Sequence, residues 1–178
     1  GDSLSAEYGL ARGEGWVNLL QKKLEAEKIT ASIVNASISG ETTSGGAARL
    51  QTLLDKHQPA VVVIELGAND ALRGLSLIAT QQNLRNMVAA AKKAKARVLL
   101  IGMQIPPNYG TDYTRQFADL FPKIAKESKS ALVPFMLKDV ADKANPNLFQ
   151  ADRIHPSAEA HPIILNNIWP QLKPLLSK

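Results

Sequence analysis

The stretch AVVVIELGAND (60–70) joins a continuous apolar run to a short polar end. An unbroken run of β-branched residues is typical of a strand that is buried on both faces of a parallel sheet. The stretch therefore predicts a buried strand over 61–66. Because Gly, Asn and Asp are common turn residues, the residues at 67–70 predict a loop directly after that strand.

Short apolar runs alternate with amphipathic segments along the rest of the chain. The apolar runs predict further strands over 31–36, 97–102 and 131–135. Helical spacing of apolar residues predicts helices over 14–28, 43–57, 79–95, 113–129 and 157–176. Pro162, Pro170 and Pro174 predict that the last helix is shortened or kinked. The alternation predicts an α/β fold of parallel βαβ units with helices on both sheet faces, in one domain over 1–178.

The composition argues against several classes of protein. The chain has no cysteine, which excludes disulfides, thiolate metal sites and a cysteine nucleophile. Its apolar runs are far shorter than the ~20 residues that span a bilayer, so we expect no stable membrane insertion. The net charge is +5, and the main basic cluster, AAAKKAKAR (89–97), contains no aromatic residue. We interpret this cluster as a solvated helix end and expect no nucleic-acid partner.

Polar segments follow the predicted strands. They are SISGETT (37–43), GAND (67–70) and QIPPNYG (104–110), and a fourth polar segment, DRIHP (152–156), lies far down the chain. Parallel sheets bind their ligands at the carboxyl ends of the strands. We therefore expect the four segments to border one cleft.

His155 is the candidate general base among the three histidines. Asp152 precedes it by three residues, close enough for the carboxylate to reach Nδ1–H of the ring. The acid would then set the tautomer and stabilise the imidazolium that forms when Nε2 takes a proton. A surface Asp–His pair and half of a metal site are the alternatives. We assign no catalytic role to His57 or His161.

Three further residues offer the remaining parts of an acyl-transfer site. Ser3, in GDSLS (1–5), is a candidate nucleophile, and its alternative role is to cap a helix that begins after it. Gly40 allows close approach of its backbone N–H to a ligand, although it could simply begin a helix. Asn69 offers a side-chain amide, although GAND could be only a turn. Nucleophile, base, orienting acid and oxyanion donors would together form a complete machinery.

Four segments resemble the four sequence blocks of the SGNH, or GDSL, hydrolases. They are GDSLS (1–5), NASISGETT (35–43), ELGANDALRG (65–74) and DRIHP (152–156), and the resemblance covers essentially the whole chain. It is greatest to the bacterial group of arylesterases and multifunctional acyl-CoA thioesterase I/lysophospholipase L1 enzymes. The resemblance implies a three-layer αβα sandwich with a flavodoxin-like parallel sheet.

The resemblance also implies the chemistry and its residues. Ser3 would be the nucleophile, His155 the base and Asp152 its orienting acid. The Ser3 N–H, the Gly40 N–H and the Asn69 side chain would form the oxyanion hole. The substrates would be fatty-acyl, lysophospholipid and aryl esters and thioesters, hydrolysed without metal or cofactor. The substrate-binding residues would be Leu72, Ile105, Pro107 and Tyr109.

A buried strand in the middle of the sheet directly precedes the GDSL block in such enzymes. The sequence starts at Gly1 and does not contain it. A sheet without its central strand leaves backbone groups unpaired at ~1–3 kcal/mol each. We therefore expect a short apolar strand before Gly1. The resemblance further implies a periplasmic or secreted location, and we expect a monomer.

Three other functions were weighed. A carbohydrate deacetylase would keep the same catalytic residues and change the substrate groove. A non-catalytic lipid-binding module would have no use for the Asp152–His155 pair. A nucleotide enzyme is disfavoured, because the chain contains neither G-x-G-x-x-G at the start of a helix nor G-x-x-x-x-G-K-[ST].

Overall fold

The apolar runs pair into a parallel sheet in the computed structural model, which describes residues 1–142 and 144–177. The strands are β1 (Val61–Ile64), β2 (Arg97–Ile101) and β3 (Ala131–Val133), in the order β1-β2-β3. Val63 lies opposite Leu99, and Leu99 opposite Ala131. The predicted parallel α/β fold is confirmed, and these three strands end one or two residues before their predicted ends.

Helices cover both faces of this sheet. In the described part of the chain they are α1 (Trp16–Ala26), α2 (Thr43–His57), α3 (Ala68–Leu72), α4 (Leu77–Lys93), α5 (Thr111–Ser128) and α6 (His161–Leu176). Successive side chains of a strand point to opposite faces. Leu99 and Ile101 of β2 therefore pack in one core with α1 and α6, and Val98 and Leu100 pack in a second core with α4 and α5. No helix of the described residues is long and apolar enough to cross a bilayer.

The segment 31–36 is not a strand, so that prediction was wrong. Ile33 packs against the core of α1 and α6, which explains the apolar pattern. A strand also requires its backbone N–H and C=O groups to pair with a neighbouring strand. Among the residues that the structure describes, 31–36 makes no such pairing. Its apolar residues therefore include the partly buried Ile33 and the exposed Val34, and neither belongs to the sheet.

Two further predictions need correction. The residues at 67–70 form more than a loop, because the short helix α3 begins at Ala68, directly after Gly67. Helix α6 begins at His161, four residues later than predicted, and then continues past Pro170 and Pro174 to Leu176. Pro162 lies in its first turn, where no backbone donor is required. Pro170 and Pro174 lie on the exposed face, where water can satisfy the carbonyl groups that lose a partner.

Gly67 makes the turn from β1 into α3 possible. Its φ is +124°, and a Cβ atom there would lie 3.3 Å from the Phe121 ring and 3.4 Å from the Phe117 ring. Both rings are fully buried in the core. The position therefore requires glycine for its backbone conformation and for the space around it.

Gly67→Ala is expected to lower the free energy of unfolding by about 2–3 kcal/mol, from backbone strain and the contact with two immobile rings. Gly74→Ala is the matched control, because Gly74 has φ +66° and no atom within 4 Å of a Cβ. The control is expected to lose only about 1 kcal/mol. Urea unfolding measures both values, and equal losses would contradict a role for the ring contacts.

Candidate active site

Ser3, His155 and Asp152 form a continuous line of contacts. The Ser3 Oγ lies 3.0 Å from His155 Nε2, and His155 Nδ1 lies 2.6 Å from Asp152 Oδ2. Ser3 and His155 are 152 positions apart in the chain. The structure therefore brings together the three residues that the sequence singled out for nucleophile, base and orienting acid.

The Asp152 carboxylate is held by its own loop. Its Oδ1 accepts hydrogen bonds from the backbone N–H groups of Ile154 (2.9 Å) and His155 (3.0 Å), which leaves Oδ2 for the imidazole ring. The backbone hydrogen bond from His155 is the main cause that lowers the pKa of Asp152 to about 2. The carboxylate is therefore ionised at neutral pH, next to the ring nitrogen that must carry a proton.

Ser3 lies on a tight turn between buried neighbours. Leu4 packs in the core of α1 and α6, and the Asp2 Oδ1 accepts the Leu4 N–H at 2.9 Å. Residues 3–9 form turns and not the helix that we considered after Ser3. Ser3 is therefore no helix cap, and the hydrogen bond of its hydroxyl is the one to His155.

Glu65 anchors this turn, and sequence reasoning missed it. Its Oε1 accepts the Ser5 hydroxyl at 2.6 Å and the Asp2 N–H at 3.3 Å. Burial raises the pKa of Glu65 well above its usual range, and the nearby Asp2 carboxyl raises it further. Burial also raises the pKa of Asp2. The signal in the sequence was a single acidic residue at the end of the buried run VVVIEL (61–66).

The segments of Gly40 and Asn69 meet beside this turn. The Asn69 Nδ2 donates to the Glu41 carbonyl at 3.0 Å and lies 3.3 Å from Asp2 Oδ2. Gly40 has φ +81°, and its carbonyl accepts a hydrogen bond from Arg73 at 2.9 Å. Sequence reasoning assigned no role to Arg73. Its guanidinium binds the carbonyl of the peptide group that follows Gly40. This hydrogen bond helps to fix the direction of the backbone at Gly40.

Asp70 joins the same region to the helices behind it. Its buried carboxylate accepts hydrogen bonds from the N–H and the hydroxyl of Thr43, at the start of α2, and from the Thr80 hydroxyl in α4. A carboxylate at a helix N-terminus is favoured by the free N–H groups there. Asp70 therefore holds α2, α3 and α4 in one arrangement behind Asn69.

The four predicted substrate-binding residues lie in different environments. Ile105 is buried in the core of α4 and α5, and Leu72 is half-buried against the same core. Pro107 and Tyr109 begin and end a short exposed 3-10 helix, Pro107–Tyr109. The Tyr113 hydroxyl donates to the carbonyls of Ala71 and Leu75, which ties the start of α5 to the loop after α3.

Residues 1–142 and 144–177 contain no group of three or more His, Cys, Asp or Glu side chains arranged to hold a metal ion. The Asp152 side chain contacts His155, and the other ring nitrogen of His155 contacts Ser3. Every buried side-chain nitrogen or oxygen of the described residues has a hydrogen-bond partner. The site is thus a network of paired polar groups.

The chain is similar to several known proteins over almost its whole length. It matches the sequence pattern described as "GDSL-like Lipase/Acylhydrolase family" over residues 1–163. Esterase TesA of Pseudomonas aeruginosa is 51% identical over 176 residues, which is 99% of this chain and 87% of that protein. Thioesterase 1/protease 1/lysophospholipase L1 of Escherichia coli K12 is 43% identical over 177 residues, 99% of this chain and 83% of that protein. The crystal structure of psychrotrophic esterase EstA from Pseudoalteromonas sp., inhibited by monoethylphosphonate, is 42% identical with a TM-score of 0.92 and covers 100% of this chain and 96% of that one.

Glu65→Gln is expected to change how stability depends on pH. Because burial raises the pKa of Glu65, the folded protein binds this proton more tightly than the unfolded chain, where a glutamate titrates near ~4.3. The free energy of unfolding of the wild type is therefore expected to fall as the pH rises above about 4.5, until the raised pKa is passed. Glutamine still accepts from Ser5 and has no such proton, so the variant is expected to show a flatter profile.

Urea unfolding between pH 5 and 8 measures this difference. The control is Glu25→Gln, because Glu25 is exposed in α1 and lies outside the network. The control is expected to keep the wild-type slope of stability against pH. The same slope in the wild type and Glu65→Gln would contradict the tight binding of a proton at Glu65.

Proposed function

Because the chain belongs to the GDSL-like lipase/acylhydrolase family, we propose that it hydrolyses carboxylic esters and thioesters through an acyl-enzyme on Ser3. The observation that carries the proposal is the contact line from Ser3 Oγ through His155 to Asp152. The names of the similar proteins, which include an esterase and a thioesterase/lysophospholipase, agree with this activity.

The contacts of His155 support the following proton path for the first half-reaction. Ionised Asp152 accepts the Nδ1–H of His155, which leaves the Nε2 lone pair directed at the Ser3 hydroxyl. His155 takes the hydroxyl proton while Ser3 Oγ attacks the acyl carbonyl carbon. When the tetrahedral intermediate collapses, the bond to the leaving group breaks, and the imidazolium gives its proton to the departing oxygen or sulfur.

The second half-reaction uses the same groups with water as the nucleophile. His155 removes a proton from water as the water oxygen attacks the acyl carbon. The bond from that carbon to Ser3 Oγ then breaks, and the proton returns to Ser3. The products are the free acid and the regenerated enzyme, and no further reactant is required.

We propose that the oxyanion hole is formed by the N–H groups of Ser3 and Gly40 and by the Asn69 amide. Neither backbone N–H has a hydrogen-bond partner within the described structure, so both are available to a ligand. The contact from Asn69 Nδ2 to Asp2 is long, at 3.3 Å, and an oxyanion would replace it. Removal of one such donor lowers kcat by a factor on the order of 10²–10³.

We propose that the acyl chain lies along Leu72, Ile105, Pro107 and Tyr109. Leu72 follows Asn69 by three residues in α3, so the two side chains lie on the same side of that short helix. Tyr109 is 40% exposed, and the Tyr113 hydroxyl ties its segment to the end of α3. An apolar surface beside the oxyanion donors would suit the tail of a fatty-acyl or lysophospholipid substrate. The family resemblance also leads us to propose a monomeric enzyme with a periplasmic or secreted location.

Ser3→Ala is expected to abolish both covalent labelling by a fluorophosphonate and ester hydrolysis, because it removes the attacking oxygen. The matched control is Ser44→Ala, an exposed serine in the first turn of α2. Labelling is read by intact-protein mass spectrometry, and hydrolysis with p-nitrophenyl butyrate. A folded wild type that takes up no fluorophosphonate would overturn the proposal.

The same enzyme preparation distinguishes the substrate classes. Palmitoyl-CoA, a lysophospholipid, aryl esters of several chain lengths and acetylated xylo-oligosaccharides are compared by kcat/KM. The proposal expects turnover of the acyl esters and thioesters, all lost in Ser3→Ala. Turnover restricted to the acetylated sugars would indicate a carbohydrate deacetylase on the same scaffold.

Asp152→Asn is expected to lower kcat by about 10³–10⁴-fold with little change in KM. The asparagine oxygen still accepts the backbone hydrogen bonds of Ile154 and His155, so the loop keeps its shape while the ring loses its anionic partner. In the wild type, kcat/KM is expected to rise with pH as the imidazole loses its proton and then to level off. Steady-state kinetics from pH 5 to 9 measure both, and a maximum near pH 5 would contradict His155 as the base.

A further inference from the structure

The aromatic ring of Tyr8 lies against the imidazole ring of His155. The ring centroids are 4.3 Å apart, and the ring planes are tilted by 37°. Tyr8 is 49% exposed, so its ring stands at the edge of the site and covers one face of the imidazole. No requirement of the hydrophobic core explains a large aromatic side chain at this exposed position.

We propose that Tyr8 is a positioning residue that holds the His155 imidazole between Ser3 and Asp152 and stabilises its protonated form. This inference rests on the proposed hydrolase function. The hydrogen bonds at Nδ1 and Nε2 fix the ring along the line between Asp152 and Ser3. They do not contact the faces of the ring, and rotation about the side-chain bonds of His155 would tilt those faces. A contact on the ring face restrains this rotation, and Tyr8 makes that contact.

The contact between the two rings also stabilises a positive charge on the imidazole. A cation over the face of an aromatic ring is attracted by the negative potential of that face. The imidazole is neutral before proton transfer and positive in the transition state of both half-reactions. The attraction to Tyr8 therefore grows as the reaction proceeds, which is the condition for an effect on kcat.

Two carboxyl groups act on the imidazole. Asp152 contacts it at Nδ1, and the buried Asp2 carboxyl interacts with it through space. Both would favour the imidazolium, and both belong to elements other than the Tyr8 side chain. Tyr8 contacts the ring through its aromatic side chain, and Ser3 contacts it through its hydroxyl. A Tyr8 variant thus changes the contact on the ring face while both carboxyl groups remain.

Gln150 fixes the two segments that carry the stacked rings. Its side-chain Nε2 donates to the carbonyls of Tyr8 (2.8 Å) and Pro156 (3.0 Å). Its backbone N–H donates to the His155 carbonyl at 2.8 Å. Gly9 leaves room for this contact, because a Cβ there would lie 2.0 Å from Gln150 Oε1. Gln150 therefore binds the backbone of both residues that carry the rings, although Tyr8 lies 142 positions before it in the chain.

The test compares Tyr8→Leu with Tyr8→Phe. Leucine keeps an apolar side chain over the imidazole but has no π face, whereas phenylalanine keeps the π face and loses only the hydroxyl. Tyr8→Leu is expected to lower kcat by about two- to five-fold, with a smaller effect on KM. It is also expected to move the acid-side midpoint of the kcat/KM profile down by about half a pH unit, because the imidazolium loses a stabilising contact. Tyr8→Phe is expected to keep the wild-type midpoint.

The kinetics are measured with p-nitrophenyl butyrate from pH 5 to 9, and thermal unfolding of each variant reports on the fold. Equal midpoints for Tyr8→Leu and Tyr8→Phe would overturn the inference. A change confined to KM would overturn it too, since it would make Tyr8 a substrate contact only. Gln150→Leu is the second variant, and it is expected to move the midpoint in the same direction because it removes the side-chain hydrogen bonds to the Tyr8 and Pro156 carbonyls, which frees the segment that carries Tyr8. An unchanged midpoint in that variant would also contradict the proposal.

A fluorophosphonate separates failure of the inference from failure of the proposed function. If the wild type is labelled and active, and Tyr8→Leu and Tyr8→Phe have the same midpoint in the kcat/KM profile, only the role of Tyr8 is overturned. A folded wild type that is neither labelled nor active overturns the hydrolase function, and the inference with it.

Discussion

The buried carboxyl group of Glu65, at the end of β1, is the constraint on which the site depends. A carboxyl group removed from water needs hydrogen-bond partners, and Glu65 finds them in the Ser5 hydroxyl and the Asp2 N–H. These two residues flank Ser3 closely, so satisfying Glu65 also sets the position of the nucleophile candidate. Trp16 donates to the same Ser5 hydroxyl and links this turn to the core under α1. The position of Ser3 thus follows from the need to pair a buried polar group.

The opposite side of the site is built by a different kind of interaction. The loop of Asp152 and His155 closes on itself, because the carboxylate accepts two backbone N–H groups that follow it within three residues. Its internal geometry is therefore local, and only its docking against the Ser3 turn requires the rest of the fold. Gln150 provides that docking through its hydrogen bonds to Tyr8, His155 and Pro156. The Asp152–His155 pair, which forms locally, thereby packs beside the Ser3 turn, which depends on contacts with Glu65 far along the chain.

Features were predicted correctly from the sequence when the residues that form them lie near one another in the chain. The bounds of α2 were predicted correctly, because helical periodicity and an N-terminal threonine are local signals. The pairing of Asp152 with His155 was visible as a spacing of three. Segment 31–36 was assigned wrongly because strand pairing involves a second segment. Glu65, Arg73, Tyr8 and Gln150 were missed because each acts on a partner 33 or more positions away.

The sequence by itself determined the alternation of strands and helices, the parallel α/β fold and the four polar segments that resemble the blocks of one family. These properties follow from periodicity, from residue type and from short spacings, all of which can be read along the chain. Only the tertiary structure decided that Ser3 Oγ lies 3.0 Å from His155, that a tyrosine covers the imidazole and that Glu65 is buried beside Asp2. The physical reason is that distance, burial and the pKa values they shift are set by groups that meet only when the sheet and its helices pack.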